Sequence, residues 1–199
     1  PGEEIYTNKR GEVKVRFHWD RDTTSKTDAN CTCWIRTMQP LAGPGFGHIW
    51  LPRIGQEVIV DFLEGDPDRP IITGVVYNAD NLPPVDLEKD ASRSGIKTRS
   101  TKGGEPENAN ELWFEDKRGQ EQIILHAERD LDITVEHDTH EIVDHDRELI
   151  VKGNQTEIVK GDKHGTVKGE HREVIQSTLS QQIGANVQIT AGEIGRAHV

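Results

Sequence analysis

Three groups of residues in the N-terminal half have types that could do chemistry. Cys31-Thr32-Cys33 has the look of half a zinc site. Tetrahedral zinc needs a second Cys or His pair at a set spacing, and His48 is the single nearby candidate. The plain alternative is two ordinary strand cysteines. Trp34, Trp50 and Phe62 could form a platform on which nucleic-acid bases stack. Alternation along the chain favours simple core packing for them instead. Asp61, Glu64, Asp66 and Asp68 could pair as catalytic carboxylates or hold Ca²⁺. Their place around the turn Gly65-Asp66-Pro67-Asp68 favours a solvated loop. No Gly-x-Ser-x-Gly elbow, His-Glu-x-x-His metal motif or phosphate loop occurs. The expectation is therefore no catalytic residue, no bound metal, no cofactor and no enzymatic activity.

The elements that would carry these residues are set by composition. The chain has 199 residues, 33% of them hydrophobic and 30% charged, and its formal net charge is −11. So acidic a surface lacks the basic patch that nucleic acid or an anionic membrane requires. No apolar run approaches the ~18 residues of a transmembrane helix, and no signal peptide is visible. The chain opens Pro1-Gly2-Glu3 without an initiator Met, which reads as a piece of a longer protein.

Character changes near residue 115. All 9 prolines lie at or before Pro106, and every Phe, Trp and Tyr lies at or before Phe114. Before that point the chain reads as strands. Residues 12–19 alternate strictly, with Val13, Val15, Phe17 and Trp19 on one face. Residues 33–38, 48–51, 57–63 and 70–77 are further candidates, with a Gly-rich loop at 43–47. Short strands separated by turn signals predict a small closed β-barrel of the OB type over residues 1–80. Residues 81–114 read as linker and loop, and those from 91 to 110 are polar and Gly-rich.

Residues 115–199 read differently. From Val135, a β-branched residue recurs every eight positions: Val135, Val143, Val151, Val159, Val167, Ile175 and Ile183. Since about one residue in six is Val or Ile, chance would produce that run about once in a few hundred thousand. Short repeats without helical periodicity mean stacked strands. Gly153, Gly161 and Gly169 suggest a bend two residues after each anchor, so that each octad is one short strand plus a corner. One such strand buries too little to offset its ordering entropy. One chain coiling alone as a β-helix usually needs longer coils; three interleaved chains suit so short a period. His140 and His164 share the slot five after the anchor. In a trimer, an inward histidine there would appear three times about the axis and could bind an ion.

Gly11-Glu-Val-Lys-Val-Arg-Phe-His-Trp-Asp20, Cys33-Trp-Ile-Arg36, the run from Pro52 to Gly74 and Val76-Tyr-Asn78 carry a family resemblance. So do Gly95–Gly104, Asn110–Asp116 and the Val-Lys-Gly octads. Together they resemble VgrG, the spike protein of the type VI secretion system. The resemblance spans roughly residues 5–190. It implies an all-β fold: an OB-type barrel followed by a trimeric, intertwined β-helical needle, as in the cell-puncturing spikes of contractile-tail phages. It implies a homotrimer assembled in the bacterial cytoplasm and secreted through the type VI apparatus to the extracellular space or target cell. The implied partners are the tube-forming hexameric ring protein (Hcp), a PAAR-type tip protein, effector proteins and the target cell envelope, with no nucleic acid. Two other readings compete: a β-helical polysaccharide-degrading enzyme, and an OB-fold nucleic-acid binder. The first needs a carboxylate cluster where the octads offer only dispersed charge. The net charge disfavours the second.

Overall fold

The computed structural model describes residues 2–21 and 31–190 and divides into two units, Pro1–Asp138 and Thr139–Val199. The last residues, 191–199, thus lie outside the described part of the needle segment. In chain order the strands are β1 (Arg36–Thr37), β2 (Ala42–Gly43), β3 (Phe46–Gly47), β4 (Glu57–Phe62), β5 (Pro70–Val76), β6 (Arg93–Lys97), β7 (Glu111–Glu115) and β8 (Gln122–His126). No helix among the described residues is long and apolar enough to cross a membrane.

The N-terminal sheet is built on β4 and β5, which pair antiparallel from Glu57↔Val76 to Phe62↔Pro70 with an irregularity between Ile59 and Val60. The connection is a tight 3-10 turn over Leu63–Gly65, closed by Leu63 N–H donating to Arg69 O at 3.0 Å. β1 joins the other edge of β5 in parallel, Arg36 opposite Ile71. Ile35, Ile72 and Val13 make the buried centre, with Val15, Val58 and Val60 packed around them. These are inward residues of alternating segments, as burial on one face of a strand requires.

Two expected strands take other forms. In residues 12–19 the bridge among the described residues is Val13 to Ile35, with hydrogen bonds of 3.0 and 2.8 Å. The next inward amide, Val15 N–H, donates to the Thr32 hydroxyl at 3.1 Å. Residues 48–51 form no strand either. Gln39 clamps Trp50 instead: its Oε1 accepts from Trp50 N–H at 2.9 Å, and its Nε2 donates to Trp50 O at 3.1 Å. Within 43–47, read from sequence as loop, β2 and β3 form a two-stranded ribbon across Pro44-Gly45.

A second sheet follows. β6, β7 and β8 pair antiparallel in that order, with Gly95↔Trp113↔Ile124 at the centre. β6 and most of β7 fall within residues 81–114, where the sequence suggested linker and loop.

Candidate functional site

The second sheet has two unlike faces because its strands alternate. One face carries Arg93, Gly95, Lys97, Glu111, Trp113, Glu115, Gln122, Ile124 and His126. It is closed by its own residues: Trp113 is buried over Gly95, and ion pairs Lys97–Glu111 (3.0 Å) and Arg93–Glu115 (3.6 Å) flank it. The indole Nε1 of Trp113 also donates to Glu111 Oε2 at 2.8 Å. Lys97, more than Trp113, holds the Glu111 carboxyl below its ordinary value. The Ser92 hydroxyl, which donates to Glu115, does the same there, helped by the amide of Lys117 and the charge of Arg93. The opposite face carries two cross-strand rows, Ile96–Leu112–Leu125 and Ser94–Phe114–Ile123. It has no charge, and Ile123 and Leu125 are 70% and 59% exposed.

β8 leads into the octads. The chain bends at 128–129, 136–137, 144–145, 152–153, 160–161, 168–169, 176–177 and 184–185, an unbroken spacing of eight. Each predicted anchor from Val135 to Ile183 stands immediately before a bend. The bend at 128–129 adds one octad that sequence inspection missed, because its anchor position is Ala127 rather than Val or Ile. Glycine does not dictate the bend: His137, His145, Ser177 and Ala185 occupy the same place as Gly153, Gly161 and Gly169.

Cover differs by slot. The seven anchors are 43–59% exposed, whereas Ile142, Ile150, Ile158 and Val174, one residue earlier, are 69–89% exposed. Anchors therefore lie closer to their own chain. Among the described residues, no strand and no backbone–backbone hydrogen bond is formed from residue 127 to 190. Backbone amides and carbonyls in such number must find partners, in water or in another chain.

Charged pairs recur with the same period. Arg147 Nε meets Glu141 Oε1 at 2.6 Å, and Lys163 Nζ meets Glu157 Oε2 at 2.6 Å. Both join the residue two before one anchor to the residue four after it. His137 and His145 each face the next aspartate, at 2.8 and 2.9 Å. All are exposed, so each contributes little alone. His140 and His164 are exposed and three octads apart, so nothing within one chain brings them together.

The N-terminal candidates are dispersed. Cys33 is exposed, Cys31 is half-buried, and they form no disulfide. No group of three His, Cys, Asp or Glu able to hold a metal occurs among the described residues. Trp34 packs against Tyr6 at 5.2 Å under Lys14, Phe62 lies 6.4 Å from Phe17, and Trp50 is held by Gln39. They have separate partners rather than a common platform. Asp66 accepts from Asp68 N–H at 2.9 Å, and Glu64 pairs with Arg69 at 2.9 Å, which are turn-forming contacts.

Among the described residues the chain thus runs from a three-stranded sheet centred on β5, through a sheet with one charged and one apolar face, into bends every eight residues. Residues 94–199 match the family described as bacteriophage T4 gp5 C-terminal trimerisation domain, and the chain belongs to that family. Residues 4–77 match the type VI secretion system/phage-baseplate injector OB domain. The chain is 58% identical over 136 residues to the type VI secretion system spike protein VgrG1c of Pseudomonas aeruginosa, covering 68% of this chain and 18% of that protein. It is 57% identical over 136 residues to VgrG1a of the same organism, covering 68% of this chain and 21% of that one. The actin cross-linking toxin VgrG1 of Vibrio cholerae is 47% identical over 136 residues, 68% of this chain and 12% of the toxin. The chain thus spans about a fifth or less of the length of these relatives. The resemblance to VgrG and the fold class, OB-type domain plus β-helical needle, both hold.

Proposed function

We propose that this chain is the spike-and-needle portion of a cell-puncturing protein of a type VI secretion machine, acting as a homotrimer. The observation that carries the reading is the run of 64 residues, 127–190, with a bend every eighth position and no backbone hydrogen bond of its own. Three such chains wound together give every strand a neighbour on both sides. That satisfies the amides and carbonyls and leaves no free edge along the shaft. The anchors Val135, Val143, Val151, Val159, Val167, Ile175 and Ile183 would then meet at successive levels of a shared core. Family membership in a trimerisation domain and the spike names of the relatives support it.

Function in this reading is mechanical. The trimer sits on a tube of Hcp rings, carries a PAAR-type tip and effector proteins, and is driven through the target envelope after assembly in the cytoplasm. The domain limits follow the same reading: a barrel to about residue 80, a connecting segment, and a needle to the end. His140 and His164 would be the candidates for an ion on the trimer axis. No catalytic step belongs to this portion.

The test is genetic. In a bacterium whose own spike gene is deleted, a full-length protein with Val159→Asp should fail to restore release of the tube ring protein into the medium, while Lys160→Asp restores it. Equal restoration by both would overturn the reading.

A further inference from the structure

We infer that the octads from Ile150 to Lys168 form a cationic band that binds the phosphate headgroups of an anionic lipid surface. This names the chemistry that the shaft meets in an envelope, and it rests on the homotrimeric puncturing reading above.

The net charge of −11 hides a local reversal. Residues 128–148 hold nine acidic and two basic residues, whereas the equally long stretch 152–172 holds three and five. Much of the change falls in one slot. The residue just after the anchor is Glu136 and then Asp144, but Lys152, Lys160 and Lys168 in the next three octads. All three lysines are exposed, and each stands at the first residue of a bend.

These ammonium groups are uncommitted. Lys163 is held by Glu157 at 2.6 Å, but among the described residues Lys152, Lys160 and Lys168 form no ion pair within their own chain. Apart from the Lys163–Glu157 pair, the stretch keeps Asp162 and Glu170 against those lysines and Arg172. Full pairing between copies would therefore still leave a positive excess. Threefold symmetry would set three lysines at each of three successive levels. Basic residues clustered in this way are drawn to the negative potential of an anionic leaflet.

The isoleucines point to lipid rather than nucleic acid. Ile150 and Ile158 stand two residues before Lys152 and Lys160 and are more exposed than the anchors between them, Val151 and Val159. Successive side chains of an extended segment alternate, so with an anchor turned inward its isoleucine and lysine both turn outward. Apolar and cationic groups side by side suit the boundary between acyl chains and headgroups. Base stacking needs aromatic rings, and none follows Phe114.

The experiment is co-sedimentation of the whole chain with sucrose-loaded vesicles, either phosphatidylcholine alone or with about one third phosphatidylglycerol. Wild type should partition onto the anionic vesicles and not onto the neutral ones. Lys152→Gln with Lys160→Gln and Lys168→Gln should weaken that partition at least ~10-fold. The charge-matched control, Lys9→Gln with Lys117→Gln and Arg118→Gln, should match wild type. Sedimentation without vesicles reads the assembly of each protein. A wild-type trimer that ignores anionic vesicles, or binds them as well without the three lysines, would overturn the band and leave the trimer standing. A wild-type monomer would overturn the homotrimer on which the band rests. Should the lysine variant fail to assemble, wild type decides: its partition should fall at least ~10-fold between about 0.05 and about 0.5 M NaCl. Binding indifferent to salt would contradict a phosphate contact. DNA bound as tightly as the anionic vesicles would overturn the lipid assignment in favour of nucleic acid.

Discussion

Gly95 and Trp113 face each other across the β6–β7 ladder, and the indole fills the space that a side chain at 95 would need. A Cβ there would fall 2.6 Å from Trp113 Cε3 and 2.2 Å from the Leu112 carbonyl oxygen. Backbone cannot retreat from such an approach without breaking the ladder. Gly95→Ala should lower stability by about 1–3 kcal/mol, as overpacked sites do. Thermal melts followed by tryptophan fluorescence check it. Gly153→Ala, which meets nothing within 4 Å in its own chain, is the contrast, and any cost there reports a neighbouring copy.

Acid should loosen the second sheet. The carboxyls of Glu111 and Glu115 both lie below their ordinary value of 4.5, the first chiefly through Lys97 and the second chiefly through Ser92. A carboxyl depressed in the folded state binds its proton more readily once unfolded. Its contribution is therefore complete above pH 4.5 and is lost as pH falls below that value through the folded one. Melting temperature should drop over that acid range, and the drop should shrink in Glu111→Gln with Glu115→Gln. An unchanged profile in the double variant would show that other carboxyls govern acid stability.

Val159→Asp should be severe and Lys160→Asp mild. Val159 is an anchor, less exposed than Ile158 before it, and trimer symmetry repeats the change three times at one level. Melting of the two full chains measures the difference. Equal loss would mean that the inward and outward slots are misassigned.

Much of this organisation was readable from residue order, and the exceptions have local causes. The octad was legible because each anchor is β-branched, and it stopped one repeat short where Ala127 is not. β4 and β5 were legible from alternation across a Pro-Asp turn. β6 was hidden because one of its faces is held by ion pairs and by the close approach at Gly95, leaving Ile96 as its only apolar residue. Residues 48–51 have strand-like order, but the backbone of Trp50 is held by the side chain of Gln39, which no periodicity reveals. For the site, spacing located the repeat, but the uncharged sheet face emerged only when three separate segments were paired.

The chain should hydrolyse no glycan, peptide or nucleic acid. Asp66 and Asp68 sit in a hydrogen-bonded turn rather than facing each other across a cleft, and Glu64 forms an exposed ion pair with Arg69. Release of soluble fragments from peptidoglycan, lost on changing Asp66 and Asp68 to Asn, would move the reading to an enzyme.

Mass in solution bears most directly on the central claim. Sedimentation equilibrium with light scattering on the whole chain at micromolar concentration should give about 67 kDa, three times the 22.3 kDa of one chain. Backbone amides from 127 to 190 should then exchange slowly with deuterium, being paired between copies. A species of 22.3 kDa with fast exchange through the octads would contradict the account.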